Sequence, residues 1–302
     1  MKLGDLTHSQ LRQRLAHGGL SVRTGPVVSR IRSRLPAVAD GVALHYAAHP
    51  LEPDDGFADF HVQVRRPAGL RRWLNPQVVF HFDQATPFAP LPGDQGFPML
   101  EWGLNWCITN HCHQWLTLHA AVVERDGLAL ILPAPPGSGK STLCAGLVHR
   151  GWRLLSDELT VIDPADLSIL PVPRPVSLKN ASIDVIRQFA PETAFSRVVH
   201  DTTKGSVAHF RPPLSAVEQA DQRARPAWLV LPRWQAGALT SLRPLSKARG
   251  LMQMVDNAFN YNVHAAAGFE TLAAMADRCN AFEFTYSDLE DAAALFARLP
   301  PP

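Results

Sequence analysis

Apolar and polar residues alternate through "DFHVQVRRP" (59–67), the period of a half-buried strand. The run "PQVVFHFD" (76–83) predicts a second strand, and Pro/Gly-rich turns such as "PFAPLPGDQGFP" (87–98) follow it. Over "MLEWGLNWCITNHC" (99–112) the period lengthens. Leu100, Leu104, Cys107 and Ile108 fall at helical spacing, with Trp102 and Trp106 alongside. These patterns predict a smaller β-rich N-terminal region over 1–95, with this helix as its link to a main domain over 96–302. No internal repeat is evident.

The pattern sharpens in the second third of the chain. "LTLHAAVVE" (116–124) predicts a strand, "RDG" (125–127) a turn and "LALILP" (128–133) a buried strand. Asp-Gly between two apolar runs is a hairpin signal, so the buried strand has an antiparallel neighbour. "KSTLCAGLVHR" (140–150) predicts a helix with Leu143, Leu147 and Val148 on one face and Gly151 as its stop. "WRLLSDELTVID" (152–163) predicts a strand carrying two adjacent acids. Beyond it come a strand over 227–232, helices over 246–259 and about 268–279, and a strand over 282–286. Ser287 and Glu290 have capping-box spacing before a last helix.

Composition narrows the class. With 302 residues, 46% of them hydrophobic, the chain has material for a core and for about two domains. A net charge of +2 argues against a nucleic-acid binder. The early basic residues Arg12, Arg14, Arg23, Arg30, Arg32 and Arg34 read as a solvated or partner-facing edge. No apolar run approaches the ~18 residues that a membrane helix requires, and the start lacks the apolar core of a signal peptide. Four cysteines do not make a disulfide framework at this length. The expectation is a cytoplasmic protein with free thiols.

The chemistry concentrates in "LPAPPGSGKSTL" (132–143). The phosphate-binding pattern G-x-x-x-x-G-K-[ST] runs from Ala134, in place of the first Gly, to Ser141. Across Pro136, Gly137, Ser138, Gly139, Lys140, Ser141 and Thr142, the glycines let backbone N–H groups converge on phosphate oxygens at a helix N-terminus. Lys140 is expected to reach the terminal phosphates and Ser141 to ligate Mg²⁺. Asp157 is the expected base or metal-bound carboxylate, and Glu158 a second metal or water ligand. Adjacent strand residues point to opposite faces, so only one acid points into the site unless the strand has ended. His119 lies on the neighbouring strand, where its side chain approaches Asp157 and tunes its pKa.

Downstream, Arg174 and Lys179 in "RPVSLKN" are candidates to meet substrate charge. Lys204, His209 and Arg211 lie in "DTTKGSVAHFRPP" (201–213), read as a lid or substrate loop. "NAFNYN" (257–262) reads as a helix terminator. In "CITNHCH" (107–113), Cys107 and His111 share a helix face, but no second ligand pair stands at zinc spacing, so core thiols and helix-end histidines are expected.

Together, "LHAAVV", "APPGSGKST" and "RGWRLLSDE" resemble the HPr kinase/phosphorylase superfamily, which carries a His-Gly step, a P-loop and a strand ending in two acids. Over almost the whole chain, "FHVQV", "EWGLNWCI", "RPVSLKN", "DTTKGSVAHF" and "FNYNV" are similar to the group called HprK-related kinase A. The resemblance implies a phosphoenolpyruvate-carboxykinase-like α/β P-loop fold with a mixed sheet, Asp157 as catalytic carboxylate and His119 as its partner. It also implies a small PqqD-like partner and self-association. Three departures stand out: Ala120 replaces the Gly, Glu158 replaces the second Asp, and "VSLKNASIDVI" (176–186) replaces an Arg-Gly-Leu-Gly-type loop. The expected activity is transfer of the γ-phosphoryl group of ATP to a hydroxyl, foremost a serine of a peptide or protein. The alternatives are a small-molecule hydroxyl, or a nucleotide-dependent binding or chaperone module without transfer.

Overall fold

The computed structural model describes residues 1–68 and 76–301; residues 69–75, inside the expected N-terminal region, and Pro302 lie outside the described residues. The described residues form an α/β molecule with four sheets.

Helix α1 (His8–Ala16) starts at Thr7, whose Oγ1 accepts from the Gln10 N–H at 3.2 Å while the Gln10 side chain reaches back. The first sheet runs in chain order through β1 (Leu20–Thr24), β2 (Val27–Ser33), β3 (Phe60–Arg65), β4 (Gln77–Phe82) and β5 (Leu91–Pro92). Between β2 and β3 lies α2 (Pro36–His45). The alternation read in β3 is real: Phe60, Val62 and Val64 are buried, whereas His61 and Arg65 face out.

Helix α3 (Gly96–His111) lays Leu100, Leu104, Cys107 and Ile108 into the same core as this sheet. Helix α3 thus shares one core with the first sheet, because its apolar stripe faces β3 and β4. Gly103 allows this approach, since a Cβ there would stand 2.1 Å from the Phe80 ring. Gly103→Ala is expected to cost about 1–3 kcal/mol through overpacking, read as a thermal midpoint lowered by several degrees.

The chain continues with β6 (Leu116–Leu118), β7 (Ala120–Arg125) and β8 (Leu128–Pro133). The Asp-Gly turn joins β7 to β8, with φ of 55° at Asp126 and 77° at Gly127, as a two-residue hairpin of this type requires. Next come α4 (Lys140–His149), β9 (Arg153–Ser156), β10 (Thr160–Ile162), β11 (Ile169–Leu170), β12 (Val176–Lys179) and α5 (Ala181–Phe189). The chain continues through β13 (Val199–Thr202), β14 (Gly205–Phe210), α6 (Leu214–Glu218), β15 (Arg225–Trp234) and β16 (Ser241–Pro244). It closes with α7 (Lys247–Asp256), α8 (Ala265–Arg278), β17 (Asn280–Tyr286) and α9 (Leu289–Ala297).

The main sheet has the order β16-β17-β15-β8-β7-β9 and is mixed: β15 is parallel to β8 and β17, and β7 is antiparallel to β8 and β9. Both faces are covered, so β8 is apolar throughout. Leu130 and Leu132 pack with Leu143 of α4 and Phe296 of α9, while Ala129 and Ile131 pack with Leu272 and Met275 of α8.

Three expectations need correction. The runs 116–124 and 152–163 are each two strands, broken at His119 and at residues 157–159. At each break the chain passes between sheets: β6 and β10 pair with each other, and β10 with β11, in a sheet separate from that of β7 and β9. Continuous apolar runs concealed this, because both segments stay buried through the change of sheet. The last helix is capped by Asp288, whose side chain accepts from the Asp291 N–H at 2.9 Å, while the Ser287 hydroxyl donates to Ala238 O instead.

Cys107, Cys112, Cys144 and Cys279 are buried as free thiols, and burial pushes the first two up to about 12. Among the described residues, no helix is long and apolar enough to cross a membrane.

Candidate active site

The strands β8, β9 and β15 point the same way, so their C-terminal ends meet at one edge of the main sheet. The glycine loop leaves β8 there. Ala134 is buried at the position of the pattern's first Gly, and the loop turns through φ of 86° at Gly137 and 88° at Gly139. No side chain caps α4, so the N–H groups of its first turn are not taken up by an N-cap side chain. The loop is tied to its neighbours: the Tyr286 hydroxyl donates to Gly139 O at 2.9 Å, and the Trp234 N–H donates to Ser138 O at 2.8 Å.

A Cβ at position 139 would stand 2.5 Å from the Tyr286 hydroxyl and 2.9 Å from Trp234 Cβ, at a backbone angle that side chains disfavour. Gly139→Ala is therefore expected to destabilise the fold by about 1–3 kcal/mol and to abolish binding of inorganic tripolyphosphate, measured by titration calorimetry.

Lys140 is buried, with Nζ 3.1 Å from His119 Nε2. The ammonium has only protons to offer, so the ring nitrogen facing it accepts and His119 is neutral. Burial lowers the His119 pKa to about 4, and the Lys140 charge adds to that. Burial also lowers Lys140, although Asp157 and Glu158 pull it back up. His119 thus contacts Lys140 rather than Asp157, because the chain bends at residue 119 between two sheets. Its backbone N–H donates to Asn257 O at 2.7 Å, and Phe259 stands edge-on to its ring at 5.6 Å.

Strand β9 ends at Ser156, so the alternation of strand residues stops before the two acids and both reach the site. Asp157 Oδ2 accepts from the Ser177 N–H at 3.1 Å, whereas its buried Oδ1 has no partner among the described residues. Burial raises the Asp157 pKa to about 6; Glu158 reinforces the rise, and Lys140, Lys179 and the Ser141 hydroxyl oppose it. Burial pushes Glu158 the same way, but Lys204, Lys179 and Lys140 overcome it and hold this carboxyl below its ordinary value. One acid of the pair is therefore a ready proton acceptor, and the other a fixed anion.

The remaining candidates divide. Lys179, at the end of β12, has Nζ 4.0 Å from Glu158 Oε1. Lys204, on the β13–β14 turn, sits 4.9 Å from the centre of the Trp102 ring and bears on Glu158. Arg174 is buried with Nη1 unpartnered among the described residues, and its Nη2 donates to Asn105 Oδ1 and, at 3.3 Å, to Glu101 O. His209 is buried, and burial lowers it to about 4. Arg211 is exposed beyond β14, and its charge acts on buried His45. Pro136 is exposed on the loop, and Thr142 is half-buried on the first turn of α4.

Sequence reasoning missed Glu101 and Asn105. The Tyr46 hydroxyl donates to Glu101 Oε1 at 2.7 Å, and Asn105 Nδ2 donates to Glu158. A polar relay thus runs from the end of α2 through α3 to the acid pair. The available signal was an acid and an amide at i, i+4 within an otherwise apolar helix. Asn257 and Asn260 were read as helix termination. Asn257 does cap α7, and Asn260 additionally accepts from the Thr117 N–H at 2.9 Å, bracing β6. Glu101, Asn105, Asp157, Arg174, Ser177 and His209 bound a cavity of about 20 Å³, enough for one water.

No family model and no curated protein matches the chain. Among solved structures, the chain is similar to the HPr(Ser) kinase/phosphatase from Coxiella burnetii, at 12% identity and a TM-score of 0.28, over 60% of this chain and 95% of that chain.

Proposed function

We propose that the protein is an ATP-dependent phosphotransferase acting on a hydroxyl, foremost a serine of a peptide or protein. The reading is carried by one juxtaposition: a glycine loop opening α4, with Lys140 at its end, faces buried Asp157 and half-buried Glu158 across the sheet edge. The loop amides and Lys140 hold the phosphates, and neutral His119 positions the ammonium. Asp157, poised near 6, is ionised at pH 7 yet basic enough to take the proton of an attacking hydroxyl.

The donor set fits Mg²⁺. Asp157 Oδ1 is buried without a partner among the described residues, and the Glu158 carboxylate and Ser141 hydroxyl add hard oxygen donors. Bound there, Mg²⁺ would neutralise charge on the phosphate oxygens. Lys179 and Lys204 fix Glu158 and keep the pocket net attractive to a phosphorylated group. The preference for a polypeptide acceptor rests on the sequence resemblance; the cavity beside Asp157 has room for one water.

The test uses purified protein, Mg²⁺ and γ-labelled ATP with a lysate of the source cell, beside Asp157→Asn. Label entering a protein or peptide fraction only with intact Asp157 supports the proposal. Label in small molecules alone moves the acceptor to that class, and release of free phosphate alone overturns phosphotransfer in favour of a nucleotide-dependent binding module.

A further inference from the structure

On the side of β8 away from the acids, β15 ends at Trp234, which is 50% exposed. Its place is fixed at three points. The Trp234 N–H donates to Ser138 O of the glycine loop at 2.8 Å, and the indole Nε1–H donates to Ser287 O at 3.1 Å. Its Cβ abuts Gly139 closely enough to exclude a side chain there. With the indole nitrogen satisfied, what remains open is apolar ring surface held rigidly against the phosphate loop. The turn that follows is anchored too, by the Ser287 hydroxyl on Ala238 O at 2.8 Å, and it presents Leu239 at 89% exposure. Neither side chain serves a core.

We propose that the indole face of Trp234 is the platform on which the purine base of the nucleotide stacks. The inference rests on the nucleotide reading above. A triphosphate whose terminal group lies between Lys140 and the acids, on the β7–β9 side, extends its nucleoside toward the β15–β17 side, where the strand ends carry Trp234 and Tyr286 in register. An indole face takes a base by stacking, which tolerates either purine and gains most from the larger π-surface.

The test compares binding of a non-hydrolysable ATP analogue with binding of inorganic tripolyphosphate, both with Mg²⁺, by titration calorimetry on the whole chain. Two variants, Trp234→Phe and Trp234→Leu, lose the Ser287 bond equally and keep apolar bulk against Gly139, so their difference reports the ring. Trp234→Leu is expected to weaken the analogue about tenfold or more while tripolyphosphate stays within about twofold, and Trp234→Phe is expected to keep most of the affinity. If both variants bind the analogue like the parent, or if each loses analogue and tripolyphosphate in equal measure, the platform is overturned. A parent protein that binds tripolyphosphate as tightly as the analogue also overturns it, yet leaves the phosphate cradle standing. Binding of neither ligand by the parent removes the nucleotide reading and the platform with it.

Discussion

Asp157→Asn is expected to lower phosphoryl transfer by about 10²–10⁴-fold, the usual contribution of a positioned general base, while making the protein more resistant to heat at neutral pH. Both effects come from the same burial. The folded-state pKa of about 6 lies above the ordinary 3.8, so the fold favours the protonated acid. Stability from this group is fully present below 3.8 and is lost as the pH rises through about 6. That gap corresponds to about 3 kcal/mol above pH 7, which an uncharged asparagine does not incur. Thermal unfolding should therefore show a gain for the variant that is larger at pH 8 than at pH 5. A variant less stable than its parent at pH 8 would mean that Asp157 is compensated by its surroundings rather than held in strain.

Lys140→Met is expected to cost about 10²–10³-fold in the same reaction, as loss of one preorganised charge at a developing anion does. Its second consequence is specific to this protein. The Lys140 ammonium depresses His119 across 3.1 Å, so its removal should raise the His119 pKa from about 4, although burial keeps it below an exposed histidine. Histidine ring resonances followed by NMR against pH would show the movement. An unmoved resonance would break the link between His119 and the loop lysine.

The glycine loop between β8 and α4 was legible in the chain because its pattern is local: strand, glycines, lysine and helix follow one another within about twenty residues. The Asp-Gly hairpin and the helix stop at Gly151 were legible for the same reason, each being set by a backbone angle that few residues adopt. What escaped was set by distant partners. Period and propensity do not distinguish one buried strand from two buried strands in different sheets, so the breaks at His119 and at Asp157–Leu159 were invisible. Those breaks decide the site, since the first turns His119 toward Lys140 and the second frees both acids. Glu101 and Asn105 were hidden because their partners, Tyr46, Arg174 and Glu158, lie far away in sequence.

The chain between Asp157 and Arg174 leaves the main sheet, buries Leu159, Val161, Leu170 and Val172 in the N-terminal core, and returns to place Ser177 against Asp157. In terms of folding order, neither half assembles the acid pair by itself. The N-terminal core is completed only by residues from beyond the glycine loop, and the acids are positioned only once that core has captured them. Such contacts are long-range in sequence, and the loop-closure entropy they cost must be met before they stabilise the fold. The turn from β8 into α4 is set by adjacent residues, whereas the carboxylates depend on contacts from both cores, so the acid pair is expected to be the last part of the candidate site to form, an order that φ-value analysis would read.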